Sequence, residues 1–249
     1  MTTAAITPPE VPALSQSQRI LNVFSAPSKT FTDIRRSASW WAPWLLISIV
    51  GLAFLGVVDR QIGFDQVSKN EIAHSPKRAE QFDKLPADQQ RQQLQIATKI
   101  TRIISYSIPA LNLLIFVIMA AALMGTFNFA AGASVRFKTA LAIVVYAGLP
   151  GIIGALLGIV SLFAGVDPEG FNINNPVATN PAYFMDPSLN KFAYAMLSAL
   201  DVFTIWSIVL MGIGFACNSK VKRSTAILIV LGWYVFYKLV SGGMGAAFS

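Results

Sequence analysis

The chain of 249 residues has one cysteine, Cys217, and one histidine, His74. A lone cysteine excludes an intramolecular disulfide, a thiol pair and any cysteine-built metal cage. With only one histidine as well, most zinc sites, Ser-His-Asp triads and Cys-His dyads drop out before geometry is considered. Charge is also scarce. Asp, Glu, Lys and Arg make up 12% of the residues, against about 25% in an ordinary soluble domain. No P-loop, nucleophile-elbow, HExxH or CxxC pattern occurs anywhere, so nothing points to bond-breaking chemistry, and no enzyme, cofactor or metal is expected. The first 40 residues also lack the apolar core of a cleavable leader, which makes the first apolar run an expected uncleaved signal anchor.

What the sequence has in quantity is apolar length. Hydrophobic residues are 54% of the total and mean hydropathy is +0.57. They gather into five runs, 41–58, 103–129, 139–166, 192–217 and 224–248. Crossing about 30 Å of hydrocarbon at 1.5 Å per residue takes about 20 residues. Four runs exceed that length. The first falls just short but opens among Trp40, Trp41 and Trp44, rings suited to a membrane interface. The expectation is an all-α, polytopic membrane protein: a five-transmembrane-helix bundle over 41–248.

A net charge of +7 and a pI near 9.7 could suggest nucleic acid, but the bases are scattered among loops without a recognition motif. Membrane topology and anionic lipid head groups account for them more simply, and no nucleic-acid partner is expected.

Residues 1–14, rich in Thr, Ala and Pro, are expected to form a disordered tail. Residues 15–40 read as two short amphipathic helices. Ile20, Leu21, Val23 and Phe24 give the first an apolar side, and Pro27 opens the second. Phe31 and Ile34 share a face, rimmed by Lys29, Arg35 and Arg36. Such a segment is expected to lie on anionic head groups with Ile20, Phe24, Phe31 and Ile34 inserted; the alternative is a tail that packs against the bundle. Two further segments are too long for simple turns. Residues 59–102 predict a helical loop whose last helix, opened by Pro86, runs unbroken into the second span. Residues 167–191, dense in Asn, Pro and Asp, predict an ordered loop built on Asx turns. Its acids Asp167, Glu169 and Asp186 lack EF-hand spacing.

Inside the third run, Pro150 predicts a kink. Gly154 and Gly158, with Gly151 adjacent, predict a small-residue ridge for close helix packing, with a hinge as the lesser reading. Two charges lie inside apolar runs, Asp201 in the fourth and Lys238 in the fifth. Each needs a reason, since a charge at mid-bilayer costs about 2.5–3.5 kcal/mol on insertion scales. Counted from the turn at 218–223, both lie at similar depth, which predicts an intramembrane Asp201–Lys238 ion pair. A register-fixing pair, a proton- or ion-coupled pathway and snorkelling without pairing are the three readings. Lys and Arg divide nine against nine between the two sides; the short later loops, five bases to one, favour a cytoplasmic N-terminus and an external C-terminus.

The opening QRILNVFSAPSKTFTDIRRSASWWAPWLL, with Pro and Phe of APSKTFTDI delivered into an aromatic-rich first span, resembles bacterial members of the Yip family of Ypt/Rab-interacting proteins. Pro150, the basic SKVKRS turn and the short stretch after the last span fit the same pattern, over about residues 17–241. The resemblance implies five helices, a cytosolic N-terminus and membership of a group tied in eukaryotes to membrane trafficking with small GTPases. The expected function is a non-enzymatic membrane organiser or partner-binding scaffold, its partners lipid, other membrane proteins or a second copy. The competing expectation is a transporter or channel for a small solute, ion or lipid using Asp201 and Lys238.

Overall fold

The computed structural model describes residues 12–247; the disordered tail expected for 1–14 lies almost wholly outside them. In chain order the helices are α1 (Gln16–Ser25), α2 (Pro27–Asp33), α3 (Trp41–Gln61), α4 (Phe64–Ala73), α5 (Pro76–Asp83), α6 (Ala87–Tyr106), α7 (Ile108–Gly125), α8 (Phe137–Ala147), α9 (Pro150–Phe163), α10 (Lys191–Ser198), α11 (Val202–Asn218) and α12 (Arg223–Ala247). A π-turn, Thr126–Ala130, extends α7, and a 3-10 turn, Pro181–Phe184, lies in the loop before α10. The described residues contain no strand. The protein is an all-helical polytopic membrane protein.

Four segments are each long and apolar enough to cross a bilayer: Trp41–Gln61, Ile108–Ala130, Phe137–Phe163 and Arg223–Met244. A bent pair, Lys191–Ser198 and Val202–Asn218, angled at 54°, is long and apolar enough for a fifth crossing if its two helices count as one span. Each expected apolar run thus supplies one of these segments, and the third and fourth are interrupted. In the third, Pro150 has no amide to offer Tyr146, so Leu149 bonds that carbonyl instead, and α9 starts afresh at Pro150. In the fourth, the chain opens at Asp201, whose extended backbone (φ −68°, ψ 129°) ends one helix and begins another.

The α8–α9 span is central. Residues Thr139–Ala147 are all buried, with α7, α3 and α11 packed around it and α12 outermost on α11 and α10. Close approach is set by small residues. A Cβ on Gly158 would lie 2.8 Å from the Phe54 ring and one on Gly154 3.1 Å from the Phe203 ring, whereas Gly151 faces open space. The expected ridge is therefore two separate notches, each receiving an aromatic ring from a different helix. Phe127 of the π-turn stacks on Phe215 of α11 at 4.3 Å, fixing the end of the second span.

Two polar faces close the bundle. The first, the hairpin face, gathers α1–α2, the 131–136 loop and the α11–α12 turn: Asn218 Nδ2 donates to the Phe31 carbonyl (2.8 Å), Arg35 to the Cys217 carbonyl, and Arg223 to Ser28 Oγ (3.1 Å). The second, the loop face, joins α4–α6 to residues 164–190. Buried Asn70 donates to the carbonyls of Pro168 and Phe171 (2.8 and 2.9 Å), Asn174 to Glu71 (2.9 Å), and Lys191 to Ser75 (3.2 Å). Gly63, at φ +84°, makes the turn from α3 into α4, a conformation that a side chain resists. The expected unbroken helix into the second span does not form. Pro109 cannot donate to the ladder, α6 stops at Tyr106, and Ser107 Oγ takes up the Ile103 carbonyl at 2.8 Å.

Candidate functional site: a broken span and a docked hairpin

A broken helix in hydrocarbon leaves carbonyls at one end and amides at the other, and every one needs a partner inside the protein. Here the partners can be traced. Asp201 is the N-cap of α11: one carboxylate oxygen accepts from the Thr204 amide (2.8 Å) and hydroxyl (2.9 Å), the other from Thr179 Oγ1 (2.5 Å). Thr179 comes from the Asn/Pro-rich loop, and its carbonyl accepts from the Val202 amide at 3.2 Å. The loop thus reaches down to the break and seals it. At the other end, α12 serves α10. Tyr234 donates to the Ala199 carbonyl (3.0 Å), and Lys238, one turn on, donates to Ser198 Oγ (3.2 Å) with its ammonium 5.8 Å from the Tyr234 ring centre.

The expected Asp201–Lys238 ion pair is therefore not made: neither side chain takes part in a salt bridge of the kind that joins Arg19 to Asp33 or Arg102 to Asp59. The depth argument brought both charges to the same break, but each is used there by a helix end. A carboxylate sits at the positive N-terminus of α11 and an ammonium at the negative C-terminus of α10, the sign that each helix dipole favours. The missed signal was Asp201 followed three residues later by Thr204, an N-cap pattern overlooked inside an apolar run.

The N-terminal segment also differs from its expected placement. Phe31, Ile34 and Val23 are fully buried by protein rather than inserted among head groups. Phe31 lies against α11, and Phe24 meets Trp206 edge-on at 5.7 Å. The hairpin is held from within by a pair the sequence reading passed over. Arg19 Nε donates to Asp33 Oδ2 at 2.7 Å with 3% and 8% of the side chains exposed, and Arg19 Nη1 donates to the Ser37 carbonyl (2.8 Å). Tyr146 Oη donates to Gln16 Oε1 at 2.8 Å. Tyr146 lies nine residues into the third span, about 14 Å along it at 1.5 Å per residue, and its ring leans back toward the start of α8 to meet the hairpin. Arg35 and Arg36 remain on the exposed side. Of the three tryptophans, Trp41 is exposed, Trp40 and Trp44 pack edge-on at 6.2 Å, and Trp44 Nε1 donates to the Pro109 carbonyl (3.2 Å).

Each polar face holds a cavity. On the loop face, about 560 Å³ is bounded by His74, Phe171, Asn175, Tyr183, Phe184 and Tyr194, among others. Asx turns shape this wall: Asn172 accepts from the Asn174 amide (2.9 Å) and Asp186 from the Ser188 amide (2.8 Å). The bonds from Ser188 hold the Asp186 carboxyl below its ordinary range. On the hairpin face, about 470 Å³ opens between the 131–136 loop and the α11–α12 turn. Neither cavity is lined by Asp201 or Lys238. Among the described residues, no group of three His, Cys, Asp or Glu side chains could hold a metal ion.

No curated protein and no solved structure matches the chain. A protein-family comparison does: the Yip1 domain matches residues 21–242, from the docked hairpin through the last span, and this membrane-embedded chain belongs to the Yip1 family.

Proposed function

We propose that the protein is a non-enzymatic membrane scaffold that organises partners through its hairpin face, with the N-terminus cytoplasmic in a bacterial inner membrane. The observation behind this reading is how the intramembrane charges are used. Asp201 and Lys238 satisfy helix ends, Arg19 and Asp33 satisfy each other, and these polar groups hold the fold rather than line a route. What remains for other molecules is surface: Leu21, 67% exposed on α1, and the exposed cations Lys29 and Arg35 of the same hairpin segment. Family membership supports a membrane-associated, non-catalytic role. The test is a photo-crosslinking side chain at Leu21 in living cells. A scaffold yields discrete protein adducts that disappear when Lys29→Glu or Arg35→Glu is added elsewhere on the face; adducts to lipid alone count against it.

One observation favours a transporter as the second reading. A discontinuous span with a carboxylate at its break is a device transporters use to hold ions. On that reading Asp201→Asn abolishes a proton or ion flux in reconstituted vesicles. On the scaffold reading the same vesicles are tight with and without the substitution.

A further inference from the structure

The hairpin-face cavity has the chemistry of an anion cradle. Arg35, Ser134, Arg136, Thr139, Asn218 and Lys220 bound it, and no carboxylate lines it. Asp33 is the one acid on the described part of this face, and Arg19 takes it. Arg35, Arg136 and Lys220 take part in none of the ion pairs of the described residues.

The cavity wall is built rather than incidental. Asn128, in the π-turn, clamps Val135 from both sides, donating to its carbonyl (2.9 Å) and accepting from its amide (2.8 Å). That clamp fixes Arg136 in an extended conformation at the N-cap of α8. No side chain caps this helix, and Arg136 and Thr139 of its first turn border the cavity, which puts the positive end of its dipole beside it. A second observation points the same way. Thr139, in that first turn, is 6% exposed and lines the cavity, and its hydroxyl makes no hydrogen bond to the described residues. A hydroxyl at a cavity wall without a protein partner is available to donate to a bound anion.

We propose that this cavity binds a phosphate ester and that the ester is the head group of an anionic phospholipid. Two guanidinium groups, an ammonium, a helix N-terminus and a hydroxyl together match a tetrahedral oxyanion. The lipid source follows from place. The cavity lies at the loop that joins the second and third spans; Phe129, just before that loop, is 93% exposed and Phe137, at the first position of α8, is also exposed, leaving apolar flanks for acyl chains. A zwitterionic choline head group would bring its ammonium toward three cations and is disfavoured.

The test uses the full-length protein in detergent, offered equal amounts of phosphatidylglycerol and phosphatidylcholine, with bound lipid counted by native mass spectrometry. Phosphatidylglycerol is retained preferentially. Arg136→Gln with Lys220→Gln lowers its retention about tenfold, a loss of about 1.4 kcal/mol, while Lys77→Gln with Arg78→Gln on the loop face leaves it unchanged. Thr139→Val, which keeps every charge, also weakens retention, and circular dichroism checks that each variant is folded. Glycerol 3-phosphate distinguishes the source. If it displaces the lipid only weakly, the head group is the ligand; if it binds more tightly than the lipid, the ester is soluble and the lipid assignment falls. Equal retention of the two lipids, or full retention by folded Arg136→Gln/Lys220→Gln, overturns the proposal.

Discussion

At the residue scale, the organising fact is that intramembrane polar groups are spent on backbone ends. Asp201 accepts three hydrogen bonds at the start of α11, and Lys238 and Tyr234 attend the end of α10. Truncating a cap of this kind costs about 1–2 kcal/mol. Asp201→Ala is therefore expected to lower the thermal midpoint in detergent, and Thr179→Val to lower it less. An ion pair and two separate caps differ in the double mutant. A pair broken on one side strands a charge and is rescued when both go; here Asp201→Asn and Lys238→Met act on different helix ends and their effects add. Recovery of stability in the double mutant would restore the ion pair. Single residues also show where sequence reading stops. The charges were found because hydropathy makes any charge in an apolar run conspicuous. Arg19 and Asp33 escaped because both lie in a polar-looking segment, fourteen residues apart, and become a buried pair only when α1 and α2 fold onto each other.

At the element scale, spans were legible and their interruptions less so. Run length alone places the helices, since about 20 apolar residues in a membrane protein admit little else. Proline accounts for two interruptions, at Pro109 and Pro150. The first was read past because the helical pattern of α6 continues on both sides of it. The fate of the glycines depended on which helix came alongside, which sequence does not show. Gly154 and Gly158 receive rings, but the tightest backbone approach is elsewhere: a Cβ on Gly212 of α11 would sit 2.6 Å from the Ile227 Cα of α12. Backbone cannot move aside as a ring can. Gly212→Ala is expected to force α11 and α12 apart at a cost of about 1–3 kcal/mol. Gly151→Ala meets nothing within 4 Å and is expected to be neutral or to stabilise by up to about 1 kcal/mol, since alanine loses less backbone entropy on folding. Melting curves of the two purified variants compare them directly; equal losses would mean that the α11–α12 contact is looser than described.

At the scale of the whole molecule, charge divides by face rather than by residue type. The hairpin face carries Arg19, Lys29, Arg35, Arg36, Arg136, Lys138, Lys220, Lys222 and Arg223 against Asp33, an excess of eight; residues 59–102 and 164–191 carry nine bases and nine acids. Counting bases alone gave a tie, because the topology rule ignores acids. Once the fold assigns each loop to a face, only one face has an unbalanced field, and that face also holds the anion cradle and the docked hairpin. Five crossings with the hairpin face in the cytoplasm form the central claim. Single cysteines in a Cys217→Ser background test it most directly: Ser134→Cys in the hairpin-face loop and Ser188→Cys in the loop-face wall, each probed with a membrane-impermeant maleimide on intact bacterial cells. The account predicts labelling of Ser188→Cys in intact cells and of Ser134→Cys only after lysis. The reverse pattern would invert the orientation, and labelling of both from the same side would contradict the five-span fold.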